Sequence, residues 1–218
     1  MALDNLTLPE LRLALAPAIA DAAAFDGWSA VAVDTAALQL GVVPPAARLA
    51  FPGGAVDMIA AWVERIDADA ALALPAGTLA EVGVTQRIRR LIQFRIDAVA
   101  GREEALRRAL AILAMPQNLA AAARLGWRSA DLMWRLAGDT ATDFNHYTKR
   151  AILSSVVAAT LAVLIDDHSA DKAETRAFLD RRLQDVGRFE KAKAKLLRPD
   201  AEHFSVVRLL GRLRYPVH

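Results

Sequence analysis

Residues 126–167 read GWRSADLMWRLAGDTATDFNHYTKRAILSSVVAATLAVLIDD, and this stretch decides the fold. A turn, Ala137-Gly138-Asp139-Thr140-Ala141-Thr142-Asp143, separates two helical segments. Thr142 or Asp143 caps the second helix, because either side chain accepts from the N–H groups that a helix start leaves free. The first turns of that helix are polar and aromatic: Phe144, Asn145, His146, Tyr147, Lys149, Arg150. From Ala151 to Ile165 there is no charge. As a helix that run is roughly 22 Å long, short of a bilayer's hydrocarbon core. It reads as a central core helix around which the other elements pack. No segment of the chain is expected to reach the length of a membrane span.

The composition agrees with a helical protein. Apolar residues make up 55% of the 218, alanine is abundant and aromatics are only 6%. Alanine favours helices and lets them approach closely. The length suits one large or two small domains. There is no cysteine, which excludes disulfides, iron–sulfur centres and thiolate metal sites. The start of the chain is not a basic stretch followed by an apolar run, so no signal peptide is read there. The net charge of +2 conceals an asymmetry. Residues 1–80 hold nine acidic and three basic groups, net −6, and residues 81–218 carry net +8. An acidic front and a basic back imply different partners.

Working outward, helices are expected over about 9–24, 29–40, 44–51 and 55–71. Ser29 caps the second, Gly41 ends it and Pro44 opens the third. Leu74-Pro75-Ala76-Gly77 marks a boundary, giving an N-terminal part over 1–76, a helical part over 77–199 and a tail over 200–218. A helix over about 85–100 shows an apolar face of Ile88, Leu91, Ile92, Ile96 and Val99 beside a basic side. The next runs from Glu103 to Leu125, broken near Pro116 and closed by Gly126. A late helix covers 171–197. Phe204, Val207, Leu210 and Leu213 share one side of the tail, flanked by Arg208, Arg212 and Arg214.

The first helices echo a degenerate helix-turn-helix, as in the tetracycline-repressor family. DNA binding is contradicted by charge, since a recognition helix is normally basic and Val42–Phe51 offers only Arg48. Catalytic constellations are also missing. The four histidines form no HExxH and no recurring ExxH set. Asp166-Asp167-His168 reads as a polar helix end rather than a metal corner. Pro52-Gly53-Gly54 lacks the GK[ST] of a phosphate loop. Ser154 and Ser155 lie in an apolar helix, where back-bonding or tight packing is expected.

Leu132-Met133-Trp134, Ala137-Gly138-Asp139, Thr142-Asp143-Phe144-Asn145, Tyr147-Thr148 and Arg150 resemble, at fixed spacing, the signature of the Coq-nine family of ubiquinone-biosynthesis accessory proteins. The resemblance covers about three-quarters of the chain. It implies an all-α, tetracycline-repressor-like fold, a non-catalytic role without a cofactor, and an apolar cavity for an isoprenoid quinone intermediate or a phospholipid. It also implies docking to the di-iron hydroxylase of ubiquinone synthesis, a homodimer, and an amphipathic last helix that touches a membrane. Mitochondrial members begin with a targeting peptide. This chain begins almost at its first helix, so a bacterial cytoplasmic protein, peripheral to the inner membrane and without nucleic acid, is expected. His146 departs from the family pattern, where a larger aromatic is expected.

These expectations attach to named residues. Trp134, Asp139, Asp143, Asn145, His146, Tyr147 and Arg150 are candidates for partner docking, with a core role open for Trp134 and a turn-fixing role for the two aspartates. Leu91, Phe94, Leu110, Leu113, Leu153, Val157, Leu161, Leu164 and Phe178 are candidates for lining the cavity, with plain core packing as the alternative. Phe204, Val207, Arg208, Leu210, Arg212, Leu213 and Arg214 are candidates for membrane contact, or the same stripe packs on the body or across a dimer. A ligand-responsive transcriptional regulator and an enzyme in its own right are the competing functions.

Overall fold

A computed structural model describes residues 6–139 and 144–196. All of the regular structure among them is helical, in nine α-helices joined by short turns and 3₁₀ segments. They are α1 (Leu8–Asp26), α2 (Ala30–Gln39), α3 (Pro44–Leu49), α4 (Ala55–Ala73), α5 (Val84–Val99), α6 (Glu103–Leu113), α7 (Leu119–Leu136), α8 (Phe144–Leu164) and α9 (Ala173–Leu196). The chain divides into two packed units, one ending at Asp180 and one beginning at Arg181.

In the first unit, local chemistry sets most boundaries. At the start of α1, Thr7 and Glu10 form a capping box, with Glu10 Oε2 accepting from the Thr7 N–H at 2.9 Å. Ser29 Oγ accepts from the Ala32 N–H at 3.4 Å to start α2. Gly41, at φ +72°, turns the chain from α2 toward α3, a conformation that suits glycine. Packing then joins distant segments. α1 lies against α2, α4 and α6, and α4 against α7. Trp28 Nε1 donates to Ala105 O at 3.0 Å, and Trp28 and Trp62 rings meet at 5.5 Å. Leu15, Ile19, Ile59, Leu91, Ile92, Ile96, Leu164 and Leu179 form the driest core, each under 2% exposed. Burying a side chain of this size stabilises by roughly 1.5–3 kcal/mol.

Two expectations need correction. Gly126 does not end a helix; it sits inside α7, which runs unbroken from Leu119 to Leu136. The break comes earlier, where Pro116 opens a 3₁₀ turn. The second concerns α8. Over His146–Leu164 it is long and apolar enough to cross a membrane by length and composition, contrary to the expectation from its uncharged run alone. The polar first turns extend that run to 19 residues. In the fold, α8 packs on α5, α6 and α7. In the second unit, α9 carries an Arg182–Asp185 ion pair at 2.9 Å. The tail residues Phe204, Val207, Arg208, Leu210, Arg212, Leu213 and Arg214 lie outside the described residues, as do Thr142 and Asp143.

Candidate functional site

The signature stretch folds into a clamp. Gly138, at φ +85°, donates its N–H to Arg135 O at 3.0 Å, and Asp139 N–H donates to Trp134 O at 2.9 Å. This paired closure satisfies the carbonyls that α7 would leave free. Arg87 of α5 braces the same turn, donating from Nη1 to Ala137 O at 2.9 Å. A Cβ at position 138 would stand 3.1 Å from that Nη1, a second reason for glycine here.

The turn directs Asp139 inward. Its carboxylate accepts from Lys149 Nζ at 2.6 Å and Arg150 Nη1 at 3.2 Å. Arg150 Nε reaches Asp131 at 2.6 Å, and Nη1 also donates to His146 O at 3.1 Å. Trp134 Nε1 donates to Lys149 O at 3.1 Å, and Lys149 Nζ lies 5.2 Å from the Trp134 ring centroid, a cation–π distance. These groups tie the end of α7 to the start of α8. The side chains of Asp139 and Arg150 are buried and Trp134 is half-buried, which agrees with the structural roles left open for them beside partner docking. Tyr147 is 61% exposed. Its ring lies 5.2 Å from His146 and 6.0 Å from Trp127, forming an aromatic surface patch. The side chain of Asn145 lies outside the described residues.

A cavity of about 320 Å³ opens between α4, α5, α6, α7 and α8. Its volume is at the lower end of the roughly 300–1,000 Å³ of ligand pockets. Of the nine apolar residues singled out in the sequence, Leu110, Leu113, Val157 and Leu161 line this cavity. Leu91, Leu153 and Leu164 instead lie buried in the core away from its wall, and Phe94 and Phe178, both half-buried, are not on it either. The sequence reading missed Ile59 and Trp62 of α4 and Leu119, Ala122, Leu125 and Ala130 of α7. The α7 set recurs at helical spacing, a signal hidden by reading Gly126 as a terminus. Three polar residues interrupt the apolar wall: Arg95, Ser129 and Ser154. Arg95 pairs with Asp67, Ser129 Oγ donates to Asp67 at 2.6 Å, and Arg95 Nη2 donates to Ser129 Oγ at 3.0 Å.

The Asp166-Asp167-His168 corner follows the end of α8 and leads through a 3₁₀ turn into α9. Asp167 accepts from the N–H and hydroxyl of Thr175 at 2.8 and 2.6 Å and from the Ser169 N–H at 2.8 Å. Burial pushes its pKa up, but these hydrogen bonds outweigh that and hold it well below the ordinary carboxylate range. Asp166 pairs with Arg107 at 2.8 Å. Among the described residues no group of three His, Asp or Glu is placed to hold a metal ion.

Comparison with known proteins adds sequence and fold relationships. Residues 119–190 match the COQ9 family model, a span that includes the clamp and two walls of the cavity. The chain is 35% identical to the mitochondrial ubiquinone biosynthesis protein COQ9 of Rattus norvegicus over 168 residues, 73% of this chain and 53% of that protein. It is 33% identical to the Homo sapiens protein of the same name, over 73% of this chain and 52% of that one. The chain thus spans about half the length of the curated relatives it matches. In structure it is similar to a TetR transcriptional regulator from Nitrosomonas europaea, with a TM-score of 0.65, 22% identity, and coverage of 82% of this chain and 99% of that one. That likeness is one of fold.

Proposed function

The chain belongs to the COQ9 family, and from that premise we propose that it is a non-catalytic accessory protein of ubiquinone biosynthesis. On this reading it binds an isoprenoid quinone intermediate or another lipid in the cavity and presents it to the di-iron demethoxy-quinone hydroxylase at a membrane surface. The observation that carries the reading is the cavity itself: an opening of about 320 Å³ with mostly apolar walls, built in part by the family-matched helices α7 and α8. Water held against such walls is displaced favourably by hydrocarbon. The exposed Tyr147, edge-on to His146 and tilted against Trp127, supplies an aromatic anchor of the kind that interfaces use. The TetR-like fold does not favour a regulator here. Arg48, the only basic residue of α3, is engaged by Asp34 through Nε at 2.7 Å. A homodimer and membrane contact through the tail belong to the same proposal.

The test is reconstitution with the purified hydroxylase and a demethoxy-quinone in liposomes. Addition of this protein is expected to raise turnover, while the protein alone yields no hydroxylated product. Product formation without the hydroxylase, or no effect on a hydroxylase shown to be active, would overturn the assignment.

A further inference from the structure

The turn between α6 and α7 presents a surface that packing does not explain. Residues 109–123 carry no charge, and the run bends round a corner at Pro116. The uncharged run of α8 packs against α5, α6 and α7. Here, instead, Ala111, Ala114, Met115, Pro116, Leu119 and Ala120 are exposed. Met115 is 43% and Leu119 54% exposed. Single exposed leucines are ordinary, but a contiguous apolar group marks a surface that meets something apolar. The two amides of the corner do not oppose this. Asn118 Nδ2 donates to Ile112 O at 2.8 Å, and Gln117 is free to reach a polar layer.

The surroundings of the corner indicate what covers it. On one side, Ala114 and Leu119 also line the apolar cavity, so the cavity reaches the surface here. On the other side lies a cleft of about 190 Å³ between α1, α4, α6 and α7. Arg12, Arg124 and Arg128 line it with Asp57 and Glu64, three cations against two anions. Both anions are engaged within the fold. Asp57 accepts from the Gly53 N–H at 2.6 Å, and Glu64 pairs with Arg12. Arg128 stands 3.7 Å from Glu64 and is largely exposed. Arg124, one turn earlier on the same face of α7, is exposed as well. Leu113 and Leu125 line both cavity and cleft, so the two openings are neighbours. The corner offers small side chains and no aromatic anchor of the kind a protein interface uses. A fluid bilayer needs none. Apolar groups enter its chains, and arginine stems carry the charge back to anionic headgroups.

Resting on the membrane reading above, we propose that the α6–α7 corner is a second membrane contact, separate from the tail. Met115 and Leu119 enter the boundary between headgroups and chains, a layer about 5–10 Å deep. Arg124 and Arg128 meet anionic headgroups, and the mouth of the cavity is thereby turned toward the bilayer.

The chain has no cysteine, so a single one can be introduced and labelled. In the full chain, Met115→Cys and Leu72→Cys each carry a polarity-sensitive dye. Leu72 is exposed and lies sixteen residues along α4 from Val56 of the cleft, roughly 24 Å away. Vesicles are phosphatidylcholine alone or mixed equally with phosphatidylglycerol, with a nitroxide on the acyl chain of a tracer lipid. On the mixed vesicles the dye at 115 is expected to shift to the blue and to be quenched, and the dye at 72 to do neither. Arg124→Gln combined with Arg128→Gln is expected to weaken binding to the mixed vesicles about tenfold or more, the order for two basic groups at such a surface, with helicity retained. Bound chain with an unquenched dye at 115, equal quenching at both positions, or a double variant that binds like the wild type would overturn the corner and leave the tail contact standing. Burial of the dye at 115 by the hydroxylase but not by vesicles would give the corner to a protein instead. Failure of the full chain to float with either vesicle would overturn the membrane reading as well.

Discussion

Replacing Arg150 tests whether the signature residues hold the fold. Arg150 is 2% exposed, with Nε on Asp131 at 2.6 Å and Nη1 on Asp139 at 3.2 Å and on His146 O at 3.1 Å. Arg150→Met fills similar space but leaves two carboxylates short of a cation. Breaking a buried ion pair in this one-sided way costs about 3–5 kcal/mol. The lower end applies, because Asp139 keeps Lys149 at 2.6 Å and Asp131 keeps Arg135 at 3.1 Å. A loss of about 3 kcal/mol is expected in urea unfolding followed by circular dichroism, with the urea slope unchanged. Arg150→Lys is expected to recover only part of this, because an ammonium does not reproduce a guanidinium's two-sided reach. With Asp139→Asn in the same background, the losses should fall short of additive. An Arg150→Met protein within about 0.5 kcal/mol of the wild type, the range of ordinary surface changes, would refute the clamp.

Further outcomes are expected at three places: Asp167, Tyr147 and the tail. Asp167→Ala leaves the buried Thr175 N–H and hydroxyl without their acceptor and is expected to cost about 2–4 kcal/mol in the same assay. Because the folded-state pKa of Asp167 is depressed, its stabilisation is present above the unfolded value of about 3.9 and is lost as pH falls below it, so acid unfolding of Asp167→Asn should show a shallower dependence in that range. Tyr147→Ala removes an exposed ring, so hydroxylase affinity measured by titration should fall about tenfold or more while helicity is retained; an unchanged affinity would remove Tyr147 from the docking surface. Truncation after Pro199 should abolish most flotation with anionic liposomes, and salt should weaken that of the full chain, each basic group near such a surface contributing roughly 1 kcal/mol; equal flotation by both forms would reject the tail as the membrane contact.

Helix ends governed by nearby residues were legible in the sequence. Ser29, Gly41 and Pro44 each act on their own stretch of backbone, so their effects can be read without the rest of the molecule. Gly126 was misread because its role is tertiary: it accommodates Ser154 of another helix. That error hid the continuous apolar face of α7, and with it one wall of the cavity. The α4 wall was hidden for a related reason. Ile59 and Trp62 look like ordinary core in their own helix, and only long-range packing brings them opposite Leu110 and Val157. The clamp was partly legible. Aspartates beside a glycine suggested turn fixing, but the burial of Arg150 depends on how α7 and α8 approach each other.

The central claim is that the cavity between α4, α5, α6, α7 and α8 is a lipid site. Native mass spectrometry of the full chain, gently purified and then offered a short-chain ubiquinone, tests it against Ala122→Phe, which places a ring into the cavity from α7. The wild type is predicted to carry co-purified lipid and to exchange it for the quinone, while a folded Ala122→Phe protein carries neither. A wild type that emerges empty and takes up no quinone, or a filled-cavity variant that retains as much lipid as the wild type, would contradict it.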